Sequence, residues 1–148
     1  MTDEMTCTIR RAANDDDITA CAALYERVIA AAFSWRPAGY HSAAEFLGFA
    51  AQEEVWLAEQ DGAVVGLLSF YRPGNFIHAL YVDPGAQGRG IGRALVETVV
   101  ASATGPVALK VPEPAAGARA FYARLGFLEA ERGVEDGIGW RLLRRETG

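Results

Sequence analysis

A glycine-rich segment near the middle of the chain carries the clearest chemical signal. Four glycines fall between Gly85 and Gly92, in a chain where 16 of 148 residues are glycine, more than the usual ~7%. The segment follows an apolar run ending at Val82 and precedes a helical pattern beginning at Ile91. Glycines let the backbone approach a ligand closely, and the N–H groups of a first helical turn lack intrahelical partners. The segment therefore predicts an anion site suited to phosphate.

Two well-known phosphate loops can be compared with this segment, and neither fits. A Walker loop requires Lys after its last glycine, but Ile91 follows Gly90. The dinucleotide-binding spacing Gly-x-Gly-x-x-Gly from Gly88 fails because Arg93 takes its last position. Arg89 and Arg93 nevertheless bring positive charge to a chain whose net charge is −5. We therefore expect the anion to be met locally, by backbone amides and arginines.

The segment does fit the pattern Gln/Arg-x-x-Gly-x-Gly/Ala, as Gln87-Gly88-Arg89-Gly90-Ile91-Gly92, directly after Leu80-Tyr81-Val82-Asp83-Pro84. A second motif, residues 118–127, places Phe-Tyr on a predicted helix that closes with Leu-Gly-Phe. Together the two motifs resemble those of the GNAT superfamily of acetyltransferases, and the resemblance covers nearly the whole chain. It implies that the amides of the loop hold the pyrophosphate of coenzyme A.

The resemblance implies an acetyl-CoA-dependent N-acetyltransferase that uses no metal. The strand 76–82 and the strand 107–111 are expected to splay apart and admit the pantetheine arm, while a backbone N–H near Leu80 to Val82 polarises the thioester carbonyl. Ala115 departs from the family pattern, which often has Asn there to contact the cofactor. The implied cofactor-binding residues are Leu80, Tyr81, Val82, Gln87, Gly88, Arg89, Gly90, Ile91, Gly92 and Arg93.

Tyr122 is the candidate for protonating the departing thiolate. It matches the family's tyrosine near the sulfur, which implies that role. Its helical spacing with Phe121 and Leu125, taken alone, favours an ordinary core tyrosine. The motif favours the catalytic interpretation.

His78 is the candidate for taking the proton of the acceptor amine. The strand 76–82 has no Asp or Glu, and alternation predicts His78 on the same face as Leu80 and Val82. An imidazole exchanges protons near neutral pH, which suits a general base. A hydrogen-bonded structural histidine is the alternative, and the two interpretations are left open.

The acceptor pocket has weaker candidates. Trp35, Tyr40 and His41 lie in the region before the second predicted helix, which borders the acceptor site in the resembling family, and His41 is the rival base. The carboxylates Glu45, Glu53 and Glu54 are expected to be ordinary solvated surface residues. The alternative is that they attract a cationic acceptor.

The hydrophobic periodicity predicts the elements that position these residues. Helices are predicted after the acidic cluster 14–17, from a capping box at Ser42 and Glu45, from Ile91, and over 118–125. An Asp-Gly turn at 61–62 joins two strands, and a glycine-rich loop at 132–139 separates the last two. Strands are predicted over 6–10, 55–59, 63–70, 76–82, 107–111, 127–131 and 140–143. The predicted fold is α/β (α+β): a mixed, mostly antiparallel twisted sheet of about seven strands with about four helices on both faces.

Composition limits the class of protein. The chain is long enough for one domain spanning 1–148, and its pI near 5.0 argues against a nucleic-acid-binding surface. No basic and apolar leader and no membrane-spanning run are visible, so we expect a cytoplasmic protein. Cys7 and Cys21 fit no zinc or disulfide spacing and are expected to be reduced structural thiols. A homodimer is possible on family grounds.

The sequence thus predicts acetyl transfer from acetyl-CoA to a primary amine by direct attack in a ternary complex. The acceptor, a small-molecule amine or a peptide amine, is not readable from the sequence. The alternative is a non-catalytic acyl-CoA-binding regulatory or sensor module, which Ala115 and the missing strand carboxylate keep open.

Overall fold

Seven strands form one mixed sheet in the computed structural model, which describes residues 7–32 and 42–146. They are β1 (Cys7–Arg11), β2 (Glu54–Gln60), β3 (Ala63–Tyr71), β4 (Phe76–Val82), β5 (Val107–Pro112), β6 (Leu128–Glu135) and β7 (Ile138–Arg145). The sheet order is β1-β2-β3-β4-β5-β7-β6. Only β4 and β5 run parallel among the paired strands of the described ranges. The expected mixed, mostly antiparallel sheet is confirmed.

Four α-helices are described: α1 (Asp15–Ala32), α2 (Ala43–Ala50), α3 (Ile91–Ser102) and α4 (Ala116–Arg124). Side-chain caps begin the first two, because Asn14 Oδ1 accepts from the Asp17 N–H at 2.9 Å and Ser42 Oγ accepts from the Glu45 N–H at 3.2 Å. Gly126, with φ of 91°, ends α4 in a left-handed cap. No described helix combines the length and apolar character needed to cross a bilayer.

The helices cover both faces of the sheet, as expected. Adjacent β3 residues show the two layers: Leu67 is fully buried against α1 and α2, and Leu68 is fully buried against α3 and α4. Cys21 lies in the α1/α2 layer as a free thiol, and burial raises its pKa to about 12. An unreactive, structural thiol is what this environment produces.

The strands of the closing hairpin are longer than predicted, and the prediction of a loop over 132–139 is wrong. β6 and β7 continue through this segment to a two-residue turn, in which Asp136 has φ of 53° and Gly137 has φ of 76°. Two left-handed residues make the tight turn that matches the twist of a hairpin. Gly133 pairs with Trp140, whose ring fills the space that a side chain at 133 would need. Glycine is therefore required there by packing, not by loop structure.

The parallel ladder between β4 and β5 is short. It contains two pairs, Phe76 with Ala108 and Ile77 with Leu109, and stops there. On the other side of β4, the register to β3 shifts, because Ile77 pairs with Phe70 and Ala79 pairs with Ser69. His78 is the extra residue of this β-bulge. The bulge and the end of the ladder thus coincide, and the cleft described below opens beyond them.

The α3 layer supplies the first test of this architecture. Leu95 is fully buried between α3 and the sheet, so Leu95→Ala is expected to lower the free energy of unfolding by about 2–5 kcal/mol. Leu128→Ala is the matched control, because Leu128 is 73% exposed and should change it by less than about 0.5 kcal/mol. Chemical denaturation measures both. Equal losses from the two variants would contradict the assignment of the core.

Candidate active site

A cleft of about 620 Å³ lies between β4 and α4, with the amino end of α3 on its wall. Nine of the ten predicted cofactor-binding residues line it: Leu80, Tyr81, Val82, Gln87, Gly88, Gly90, Ile91, Gly92 and Arg93. Tyr122 lines the same cleft from α4. The two sequence motifs, separated along the chain, therefore meet at one site.

The glycine loop leaves backbone exposed where it turns into α3. Gly88 and Gly90 have φ of 82° and 79°, a region that residues with a side chain rarely adopt. A Cβ at either position would meet nothing within 4 Å, so the space beside the loop is open. Gly90 precedes Ile91 without a side-chain cap, and the first-turn N–H groups of α3 are left for a ligand.

Polar contacts hold the loop in place. Asp83 Oδ1 accepts from the Gly85 N–H at 3.0 Å, while Asp83 Oδ2 pairs with Arg27 of α1 at 2.7 Å. These two contacts, the backbone N–H first, hold the pKa of the Asp83 carboxyl below its ordinary value. The Gln87 amide donates to the Val82 carbonyl at 3.1 Å. The Gln87 side chain therefore braces the loop against β4.

The positive charge of the cleft differs in part from the prediction. Arg93 lines the cleft as expected, but the Arg89 side chain donates to Gln60 Oε1 at 3.2 Å and is not among the lining residues. Arg124, at the end of α4, lines the cleft and was missed. The spacing of an arginine on an amphipathic helix does not distinguish a ligand-facing position from a solvated one.

Small and apolar residues of α4 complete the opposite wall. A Cβ at Gly92 would lie 3.3 Å from Phe121 Cζ, so glycine allows α3 and α4 to approach closely beside the cleft. Ala115 precedes the first residue of α4, makes no side-chain cap and lines the cleft. This is the position at which the pattern of the resembling family often has Asn. Ala118 and Phe121 also line it and were missed, because their periodicity indicated only a core-facing helix.

Tyr122 is both a core residue and a cleft residue. Its side chain is 7% exposed and packs against Phe121 and Phe127, with ring centroids 5.0 and 5.5 Å away. Burial, and to a smaller extent Tyr81, raises the pKa of Tyr122 above its ordinary value. Its hydroxyl makes no hydrogen bond to a residue of the described ranges. The phenol therefore stays protonated at neutral pH and remains able to donate to a ligand.

The prediction that His78 shares a face with Leu80 and Val82 is wrong. Leu80 and Val82 pack toward α3 and α4, whereas His78 stacks on Phe49 of α2, with ring centroids 4.1 Å apart. The β-bulge at His78 breaks strand alternation, which assumes a regular ladder. His78 is absent from the cleft lining and lies at the end of the β4–β5 ladder, on the α1/α2 side of the sheet.

The expectation that Glu53 and Glu54 lie on the solvated surface is also wrong. The Glu53 side chain is 7% exposed, and its Oε2 lies 2.7 Å from His78 Nδ1. The Glu54 side chain, 17% exposed, pairs with Arg72, whose Nη2 lies 2.9 Å from Glu54 Oε1. Glu45 is exposed, as expected, and accepts from the Tyr25 hydroxyl at 2.9 Å.

Three acceptor-site predictions, Trp35, Tyr40 and His41, lie outside the described residues and stay predictions. Within residues 7–32 and 42–146, no three His, Cys, Asp or Glu side chains are grouped as a metal site.

Comparison with known proteins gives the family. Residues 21–127 match the model of the acetyltransferase (GNAT) family. The chain is 30% identical over 139 residues to the peptidyl-lysine N-acetyltransferase YjaB of Escherichia coli strain K12, covering 91% of each protein. The chain therefore belongs to the GNAT acetyltransferase family and is an N-acetyltransferase.

Solved structures share the fold. The crystal structure of Ard1 from Thermoplasma volcanium superposes with a TM-score of 0.78 at 19% identity, covering 96% of this chain and 98% of that chain. The structure of YncA from Salmonella typhimurium, solved with its cofactor acetyl-CoA, superposes with a TM-score of 0.69 at 20% identity, covering 96% of this chain and 94% of that chain. The GNAT-like fold predicted from the sequence is confirmed.

The loop geometry predicts the effect of one substitution. Gly90→Glu places a carboxylate and a side chain in the open space beside the first turn of α3, so it should abolish coenzyme A binding in isothermal titration calorimetry. Gly137→Glu is the matched control, because Gly137 also has a left-handed φ, 76°, with nothing within 4 Å. It carries the same backbone strain away from the cleft. Unchanged affinity in Gly90→Glu would refute the loop as the pyrophosphate site.

Proposed function

We propose that this protein transfers the acetyl group of acetyl-CoA to a primary amine by direct attack in a ternary complex. The observation that carries the proposal is a single cleft that unites the uncapped amino end of α3 with the side chain of Tyr122. An anion site beside a proton donor is what the release of a phosphate-bearing thiol requires. We treat residues 1–148 as one catalytic domain that acts in the cytoplasm without a metal, and a homodimer remains a family-level expectation.

The residues present fit acetyl-CoA. The amides of Gly88 to Gly92 and the arginines Arg93 and Arg124 offer donors and positive charge to its phosphates. The bound molecule supplies an activated acetyl thioester. Residues Leu80–Val82 line the cleft beyond the last β4–β5 pair, and in this proposal a backbone N–H on that stretch of β4 donates to the thioester carbonyl.

Two side chains move the protons in this proposal. When the amine nitrogen bonds to the carbonyl carbon and the carbon–sulfur bond breaks, the Tyr122 hydroxyl donates its proton to the sulfur. The Tyr122 phenolate regains a proton from water before the next turnover. His78 accepts the proton that the amine loses, directly or through a water. His41, outside the described residues, and bulk water are the alternative proton acceptors. A His78→Asn variant that keeps the wild-type rate would assign the role to one of them.

We propose the side-chain amine of a peptide lysine as the acceptor. The support is the E. coli relative, which is named as a peptidyl-lysine N-acetyltransferase and matches over 91% of both chains. The alternative of a non-catalytic acyl-CoA-binding module is not favoured, because the matched family is one of acetyltransferases and this relative is named as an N-acetyltransferase.

The direct experiment incubates the protein with acetyl-CoA and a lysine peptide whose N-terminus is blocked. We expect thiol release together with a peptide heavier by one acetyl group on lysine. The same peptide with arginine in place of lysine is the control and should stay unmodified. Coenzyme A binding without acetylation of the lysine peptide or of a panel of small amines would contradict the proposed transfer and support the non-catalytic acyl-CoA-binding module.

Tyr122 offers a test of the protonation step. Tyr122→Phe keeps the ring that packs against Phe121 and Phe127 but removes the hydroxyl, so kcat should fall by roughly 100-fold while the Kd for acetyl-CoA stays within about twofold. Tyr71→Phe removes a hydroxyl from a half-exposed tyrosine outside the cleft and should leave both constants unchanged. Steady-state kinetics and calorimetry measure the two effects. An unaltered kcat in Tyr122→Phe would make this tyrosine a core residue only.

A further inference from the structure

We infer that Glu53 is a positioning residue that holds His78 in the tautomer able to accept a proton at Nε2. The inference rests on the proposed function, because it explains how His78 serves as the base. It concerns residues outside the acetyl-CoA cleft, on the α1/α2 side of β4.

The Glu53 carboxylate is buried and both of its oxygens have partners. The side chain is 7% exposed. Oε1 accepts from the hydroxyl of Ser69, a residue with no exposed surface, and Oε2 lies 2.7 Å from His78 Nδ1. Ser69 belongs to β3 and His78 to β4, so the carboxylate bridges neighbouring strands. A bridge of this kind fixes the carboxylate relative to the bulge.

The chemistry of the carboxylate determines the tautomer. An ionised carboxylate only accepts hydrogen bonds, so both partners must donate to it. The neutral imidazole of His78 therefore carries its hydrogen on Nδ1. Its Nε2 then carries a lone pair, and this nitrogen is the atom at which the ring can act as a general base.

Phe49 fixes the remaining freedom of the ring. The two rings lie 4.1 Å apart at an interplanar angle of 34°, so the imidazole is held on one face by α2 and on one edge by Glu53. The His78 side chain is nonetheless 44% exposed. In this inference the exposed part of the ring includes Nε2, where an amine or a water can approach.

The same contact persists through proton transfer. The amine N–H bond breaks, an Nε2–H bond forms, and the Nδ1–H of the imidazolium still donates to the Glu53 carboxylate. The proton leaves to water when the products leave. Each turnover thus returns His78 to the Nδ1–H tautomer, without any other reactant.

Imidazole NMR reads the tautomer without any substrate. The chain has two histidines, so a His41→Asn variant assigns the ring signals of His78 in proton–nitrogen correlation spectra. At about pH 9, where an imidazole is neutral, we expect the Nδ1–H tautomer in the wild-type protein. Glu53→Ala should shift it to the Nε2–H tautomer that histidine favours in water. An Nε2–H tautomer in the wild-type protein, or no change in Glu53→Ala, would overturn the inference.

Kinetics test whether the position of His78 matters for turnover. Glu53→Ala removes the acceptor at His78 Nδ1, so kcat with a lysine peptide should fall by roughly one to two orders of magnitude at unchanged KM for acetyl-CoA. Glu54→Ala is the control, because it removes the adjacent carboxylate, which pairs with Arg72 and not with His78. We expect it to keep the wild-type kcat.

The outcomes separate this inference from the proposed function. An active wild-type enzyme whose Glu53→Ala variant keeps its kcat overturns the inference and leaves acetyl transfer intact. A wild-type protein that binds acetyl-CoA and acetylates no amine overturns the proposed function and the inference together. Equal losses of kcat in Glu53→Ala and Glu54→Ala would show a general loss of structure and would also overturn the positioning role.

Discussion

The early end of the parallel ladder between β4 and β5 is the constraint on which the rest of the site depends. Parallel neighbours require a crossover connection, and α3 provides it, so the amino end of α3 lies directly after the carboxyl end of β4. Because pairing stops at Ile77 and Leu109, the polar backbone beyond them needs other partners. A ligand with amide and carbonyl groups suits that edge. The glycine loop, the cleft and Tyr122 of α4 are all arranged around this opening.

The bulge at His78 places residues of β4 that line the cleft and His78 itself on opposite faces of the sheet. On one face, Leu80 and Val82 join the α3/α4 layer and line the cleft. On the other face, His78 meets Phe49 and Glu53 beside the α1/α2 layer. A regular strand would direct His78, Leu80 and Val82 to one side. One extra residue thus lets a single strand line the cleft on one face of the sheet and carry His78 on the other.

Local features of the site were predictable from the sequence, and contacts between distant residues were not. The glycine loop and the caps of α1 and α2 depend on residues a few positions apart, so spacing was sufficient. The face of His78 depends on how β4 registers with β3, which no alternation pattern contains. Glu53 is buried by contacts with partners 16 and 25 residues away, which no local sequence pattern contains. The loop predicted over 132–139 is wrong for a related reason, because the packing of Gly133 against Trp140 joins residues seven positions apart on two strands.

Hydrogen–deuterium exchange with and without acetyl-CoA tests the central claim most directly, since it locates protection along the backbone of the intact protein. The account predicts that acetyl-CoA slows exchange at the end of β4, in the glycine loop and first turn of α3, and in α4, while the β6–β7 hairpin tip, away from the lining of the cleft, is unaffected. Protection concentrated elsewhere, or none at saturating acetyl-CoA, would contradict the assignment of this cleft as the place where the acetyl group is held and transferred.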